Sequence, residues 1–492
     1  MKSFVGAGAM LGLPGLAMGV ETTVKAVGAN SQVRVAVVGL GGIDVVGGVG
    51  GRGRQLIGLL QKVPAAKIVA LCDVDKTVLE HGVQQFKERG ETVAAHTDYR
   101  RILDDQTVDA VVLATPNHWH ALGTVWGCQA GKDVYVEKPF SYNIWEGRQM
   151  VAAARKYGRM VQVGTQRRAS SVLPQVFDFL RSGQIGHIRY AHALVFRPRD
   201  GIGKVSAPTV VPESVDYDLW CGPAPKGLLT RRQLHYDWHW GWPTGNAELG
   251  NNGLHVLDIC RWGLGYATPP RRAMSIGGRF GFNDDGETPN THLTILDYQP
   301  APIICEIRNY RKAGTAIGLG KYRNSDKGII IECEGGYFAG DFTSGAVYDR
   351  QDRKIKDFQD GRKSGEVETA LMANFIEAVR TRKQASLNAE AMEGHISAAC
   401  CHMGNISHRI GKQSTPGAIQ EAIRADQTAL EAFTRCQEYL RGNGVDLNAT
   451  PAVLGPWVTF DAQQEQFVNE FADRANELSR REYREPFVVP RI

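Results

Sequence analysis

Two short segments of this chain carry residue types suited to proton transfer: Glu137-Lys138-Pro139 and Thr115-Pro116-Asn117-His118-Trp119-His120. A lysine held away from water beside a positive charge has a lowered pKa and can exchange a proton with a hydroxyl. A third segment, His235-Tyr236-Asp237-Trp238-His239-Trp240-Gly241-Trp242, packs four aromatics and two histidines into eight residues. Aromatic rings suit the apolar C–H faces of sugars, and histidines add polar contacts. Tyr236, Trp238 and His239 are therefore candidate substrate contacts, while two or three of the tryptophans are expected to anchor a core. The pairs His118/His120 and His235/His239 have ligand-like spacing, but no carboxylate or cysteine set completes either one, so no metal is expected.

These residues need a scaffold, and the hydrophobic pattern supplies one. Val33–Val38 (VRVAVV) is a continuous apolar run suited to a buried parallel strand. Further strands are expected at Lys67–Cys72, Asp109–Ala114, Asp133–Val136 and Met160–Val163. Helices are expected at Glu80–Arg89, near His120–Ala130 and over Ile144–Tyr157. Strands alternating with helices at this spacing predict a doubly wound parallel sheet of the α/β class. The 115–120 and 137–139 segments both follow strand ends, where such sheets bind their ligands.

The first strand runs into eight glycines between 39 and 53, in a chain where 56 of 492 residues are glycine against a usual share of about 7%. A helical pattern follows at Arg54–Val63. A strand, a glycine turn and a helix start arrange backbone amides around a pyrophosphate. Two registers compete, Gly39-x-Gly41 at the strand end and Gly48-x-Gly50-x-x-Gly53 ten residues later. One phosphate turn with an insertion reconciles them, with Gly39 and Gly41 at its entry and Arg52 and Gly53 at the helix start. Asp73 ends the second strand twenty residues after Gly53. An acid there accepts the ribose hydroxyls and repels a 2′-phosphate, which favours NAD over NADP.

Beyond residue 165 the texture changes to longer strand-like runs at His187–Phe196, Arg272–Gly278, Thr291–Leu296, Ile303–Tyr310 and Lys327–Glu334. This predicts an α+β domain with an open, mainly antiparallel sheet over 166–412. Its final helices, Thr369–Arg382 and Ala389–Arg409, are expected to pack back on both domains. Residues 413–492 are expected to form a helical extension, with helices at 417–441 and near Ala462–Arg480. Residues 31–165 form the nucleotide-binding domain. Residues 1–30, with one early Lys, an uncharged Val5–Val20 run and the small-residue site Val27-Gly28-Ala29, match a secretory leader. The apolar run is too short for a membrane span, so none is expected in the mature protein; the expected location is the periplasm or another exported site, or the cytoplasm if residues 1–30 are not a signal. The net charge of +5 is too small to drive nucleic-acid binding, and the nine scattered cysteines without CxxC read as buried thiols.

ATPNHWHA, VEKPF and VGTQRR, in this order after a glycine turn, resemble the glucose–fructose oxidoreductase/inositol dehydrogenase family (Gfo/Idh/MocA). ELGNNGLHVLDICRW and REYREPFVVP resemble its exported bacterial subgroup. The resemblance implies NAD(P) binding, a sugar or polyol substrate and a homo-oligomer formed through the open sheet. It implies that Lys138 is the catalytic lysine and that Thr115, Pro116, Asn117, His120, Glu137 and Gln166 surround the cofactor, with Arg167 toward the substrate. The family's second catalytic pair is an Asp one helical turn before a His. Here the matching residues are Asn251 and His255, so proton transfer falls to Lys138 and His255. Three functions follow: an NAD-dependent oxidoreductase acting on a carbohydrate hydroxyl, a redox-neutral glycoside-cleaving enzyme with retained NAD, or a non-catalytic sugar-binding protein.

Overall fold

The computed structural model describes residues 32–43, 49–323 and 325–492; the expected leader lies outside them. The first domain contains β1 (Val33–Val38), α1 (Arg52–Leu60), β2 (Ala66–Cys72), α2 (Lys76–Lys87), β3 (Ala94–His96), α3 (Tyr99–Asp104), β4 (Ala110–Leu113), α4 (His120–Gln129), β5 (Asp133–Val136), α5 (Ile144–Lys156) and β6 (Val161–Val163). All six strands are parallel, in the order β3-β2-β1-β4-β5-β6. Every residue of β4, β5 and β6 is buried, as continuous apolar runs demand when helices cover both sheet faces. The reversal of strand order between β1 and β4 opens a crevice at their carboxyl ends.

The second domain begins with α6 (Val172–Arg181) and β7 (Ile188–Phe196) and continues through α7 (Tyr217–Cys221) and α8 (Leu254–Leu264). Then come β8 (Arg272–Gly278), β9 (Thr291–Asp297), β10 (Ile303–Arg308), β11 (Lys327–Cys333), β12 (Gly336–Gly340), β13 (Ser344–Asp349) and β14 (Lys354–Gln359). Two long helices follow, α9 (Ser364–Thr381) and α10 (Ala391–Ile410). The large sheet runs β14-β13-β12-β11-β7-β10-β9-β8, antiparallel except where β7 meets β10. Its inner face, with Ile303, Cys305, Ile307, Ile329 and Ile331, shares one core with α8, α10 and the first domain.

The C-terminal segment departs from a helical extension. It contains β15 (Lys412–Ser414), α11 (Pro416–Ile423), α12 (Gln427–Gly442), β16 (Ala452–Leu454), β17 (Val458–Asp461), β18 (Gln466–Val468) and α13 (Ala472–Leu478). The helix expected at 417–441 is broken because Asp426 caps a new one, its carboxylate accepting from Ala429 N at 3.0 Å. The helix expected near 462–480 shrinks to α13, because Val458, Phe460 and Phe467 bury with strand periodicity in a hairpin attached to β8. α11 and α12 lay Ile419, Ile423, Phe433, Tyr439 and Leu440 on the outer face of β8, β9 and β10. All nine cysteines are buried free thiols. No helix among the described residues is long and apolar enough to cross a membrane.

Candidate functional site

One cavity of about 370 Å³ opens beyond the ends of β1, β4 and β5 and is walled on its far side by the second domain. At one end its wall is backbone. Gly39 has a φ of +84° and lies so close to β4 that a side chain there would meet Thr115 N at 2.8 Å. At Gly53 a Cβ would run into the carbonyl of Gly39, so the helix start can approach the strand end only without one. α2, α3 and α5 open with side-chain caps from Asp75, Asp98 and Asn143, whereas α1 has none. Gly51 and Arg52, at its start, line the cavity, where a helix leaves its first amides unpaired. The cradle fits a pyrophosphate. Arg52 donates to Glu137 and to Glu368 of α9, at 2.7 Å each. Burial pulls its pKa down, but these carboxylates outweigh burial and fix the cation.

Asp73 also lines the cavity, placed by Leu40 N (2.6 Å) and Asp75 N (3.0 Å), each donating to one carboxylate oxygen. Burial raises its pKa. A strap, residues 197–247, crosses from the second domain to cover this side. It bonds Lys76 N to Ser214 O (2.9 Å) and Asp216 N to Val74 O (3.0 Å), and pairs His235 with Asp75 at 2.9 Å. His118 Nε2 donates to the carbonyl of Trp220 at 2.9 Å, and burial drives its pKa down to about 3. Trp220, His235 and Trp238 of the strap line the cavity.

The other end is built from side chains. Lys138 Nζ donates to Asn251 Oδ1 at 2.6 Å and to Asn251 O at 3.1 Å. Burial lowers its pKa to about 8, although Glu137 and Glu248 pull upward. Asn251 Nδ2 donates to Glu248 Oε2 at 3.1 Å, and Glu248 is paired with Arg199 at 3.1 Å. His255 is held neutral by burial, and its Nδ1 has no partner. His239 donates from Nδ1 to Tyr236 O at 2.7 Å, which leaves Nε2 a buried acceptor without a donor. Its pKa falls to about 4 through burial. Arg168, just after β6, grips Asp258 of α8 with two 2.8 Å bonds and so fixes the helix that carries His255.

Residues 33–165 match the NAD-binding Rossmann domain model of the oxidoreductase family, and residues 200–273 match its C-terminal α/β domain model. The chain belongs to the Gfo/Idh/MocA oxidoreductase family. An uncharacterized oxidoreductase, YrbE of Bacillus subtilis, is 28% identical over 38% of this chain and 49% of its own length. The scyllo-inositol 2-dehydrogenase (NAD+) of the same organism is 27% identical over 32% of this chain and 42% of its own length. This chain thus spans less than half of these curated relatives. Among solved structures, Bordetella pertussis WlbA dehydrogenase, in complex with NADH and UDP-GlcNAcA, has a TM-score of 0.51 at 19% identity. That match covers 74% of this chain and 93% of WlbA. A levoglucosan dehydrogenase in complex with NADH and levoglucosan has a TM-score of 0.54 at 16% identity, covering 76% of this chain and 96% of that one. These two share the Gfo/Idh/MocA fold.

Within this family member the cavity gathers Gly39, Gly41, Arg52, Asp73, Thr115, Pro116, Asn117, Glu137, Lys138, Gln166, Trp238, His239, Asn251 and His255. Thr115 Oγ1 and Gln166 Oε1 are buried there without partners, as polar groups awaiting a ligand would be. Four expected contacts do not line it. Gly53 is consumed by the approach to Gly39. His120 is a clip, with its ring nitrogens 2.7 and 2.9 Å from the carbonyls of Pro139 and Thr115. Arg167 is drawn away to Asp341 at 2.9 Å, over the Phe342 ring. Tyr236 packs edge-on against His239 instead, ring centroids 5.0 Å apart. Trp240 is core, stacked under Arg279, and Trp242 lies against Arg409. Sequence reasoning missed Arg199, Asn252, Trp220 and Glu368, which line the cavity, and Glu248, which braces Asn251; Trp119 and His235 also line it, from segments the sequence singled out without naming them as contacts. Glu248 alone left a local signal, its place one helical turn before Asn251. No group of three or more His, Cys, Asp or Glu among the described residues is arranged for a metal.

Proposed function

We propose that the protein oxidises a secondary hydroxyl of a carbohydrate with NAD. The observation that carries this reading is Lys138, a cavity lysine whose pKa is lowered to about 8 by burial and whose amine is aimed by Asn251. NAD+ bound on the glycine cradle would supply the hydride acceptor. Neutral Lys138 takes the hydroxyl proton, His255 orients the oxygen, and Asn251 is a neutral hydrogen-bond partner. The acceptor Nε2 of His239 suits a second hydroxyl, and Trp238 suits a sugar face. Asp73 favours NAD over NADP. The test is a sugar, polyol and glycoside panel read by NADH absorbance. NADH formation with one class supports the reading, and none with any class sinks it.

A second reading is favoured by the strap. Its bonds to residues 74–76 and 118–119 would wall a bound nucleotide in. A retained NAD would serve a redox-neutral cycle: a sugar carbon is oxidised to a carbonyl, the carbon next to it loses its acidified proton, the glycosidic bond one carbon further on is eliminated, water adds across the enone, and the carbonyl is reduced again by the hydride the cofactor kept. NAD that survives dialysis, with aglycone released and no net NADH, would select it. Two further expectations belong to the proposal. Export is checked by fractionating cells that express the full chain. A homo-oligomer through the open sheet is checked by sedimentation.

A further inference from the structure

Asn251 cannot ionise, yet Lys138 is buried against it. A buried ammonium needs counter-charge close by. Glu137, the stronger of the two carboxylates acting on Lys138, is itself ion-paired with Arg52 at 2.7 Å, and Glu248 is the second. Glu248 stands one helical turn before Asn251 and is 0% exposed. One of its carboxylate oxygens accepts from Asn251 Nδ2 at 3.1 Å, and the other accepts from Asn252 Nδ2 and from Arg199 at 3.1 Å. A side-chain amide has one donating and one accepting end. Because a carboxylate only accepts, Nδ2 must face Glu248, and Oδ1 is left to receive Lys138 Nζ at 2.6 Å.

We propose that Glu248 is a positioning residue of the proton-transfer site: it supplies the negative charge that residue 251 lacks, and it orients the Asn251 amide so that its oxygen receives Lys138. Arg199 keeps Glu248 ionised. Burial alone would raise the Glu248 pKa, yet Arg199, Asn252 and Asn251 together hold it below the usual carboxylate range. The functional meaning rests on Lys138 as the proton carrier, but the placement of charge does not.

The test reads Lys138 directly, without turnover. Competitive trace acetylation of the full-length protein with acetic anhydride at a series of pH values, quantified by peptide mass spectrometry, gives its pKa, expected at about 8 in the native protein. Glu248→Gln is expected to lower the proton affinity of Lys138 about tenfold. Glu248→Gln/Asn251→Asp moves the carboxylate to residue 251, where the amide introduced at position 248 can donate to it, and is expected to restore that affinity to within about threefold of native. A purely structural role for Glu248 would not be rescued by transposing the charge. An unchanged affinity in the folded single variant, or no recovery in the double variant, overturns the proposal. If the single variant does not fold, Glu248→Gln/Arg199→Gln removes both buried charges together. The Lys138 affinity is still expected to fall, because Glu248 reaches Lys138 through Asn251 alone while Arg199 lies one residue further out, on Glu248; an unchanged or higher affinity overturns the proposal. Should Lys138→Ala turn over normally while these shifts are observed, the proposed reaction fails and the positioning role stands.

Discussion

At the phosphate end of the cavity the walls are main chain: Gly39, Gly41 and Gly51 beside an uncapped helix start. At the Lys138 end they are side chains, each held by another, from Arg199 through Glu248 and Asn251 to Lys138. At the first end Gly39, Gly41 and Gly53 leave no room for a side chain. At the second, charge decides, because Glu248, Arg199 and Lys138 are buried together. A backbone cradle gives affinity for any dinucleotide of the right size, and a relay of side chains sets the pH at which chemistry occurs.

Four experiments bear on that contrast. Lys138→Ala should lower turnover on a true substrate about a thousandfold, while NADH affinity measured by fluorescence titration changes only a few-fold. A parallel loss of both would mean that the two ends are not separable. Gly53→Ala should weaken NADH about a hundredfold, or ~2.7 kcal/mol, by forcing α1 from β1; native affinity in calorimetry would show that the cradle is not rigid backbone. The pH profile comes next. With Lys138 titrating at about 8, kcat/KM for alcohol oxidation should climb about tenfold per pH unit below that value and level off above it, because only the neutral amine accepts a proton. A flat profile through this range removes Lys138 as base.

The fourth experiment reads stability in acid. Burial holds His118 and His402 down to about 3 and His239 and His408 down to about 4. The unfolded chain binds their protons below about 6.5 and the folded chain does not. Their contribution is full above that pH and drains away as pH falls toward 4. The melting temperature should therefore drop steadily over this window. His239→Gln, at the side-chain end, should flatten part of the slope, whereas a glycine-turn variant should leave the slope alone.

Legibility followed the same division. The glycine turn, Asp73 and Lys138 could be read because strand, turn and helix are contiguous and the sheet topology fixes where strand ends point. Asn251 and His255 came from resemblance, and the structure puts both on the cavity. What the sequence hid is long-range pairing. Glu368 meets Arg52 across 316 positions and Arg199 meets Glu248 across 49. Arg167 departs from expectation for the same reason, since it pairs with Asp341, far along the chain, and does not line the cavity. The C-terminal segment misled because charged, helix-favouring residues mask the alternation of Val458 and Phe460, which only a sheet edge makes meaningful.

α11 and α12 have a consequence in mass action. An apolar sheet face that needs a second subunit loses its cover on dilution, because association depends on concentration. Here the cover over β8–β10 is part of the same chain, and its local concentration is set by a tether rather than by the amount of protein present. That half of the sheet remains covered in a single molecule, at any dilution.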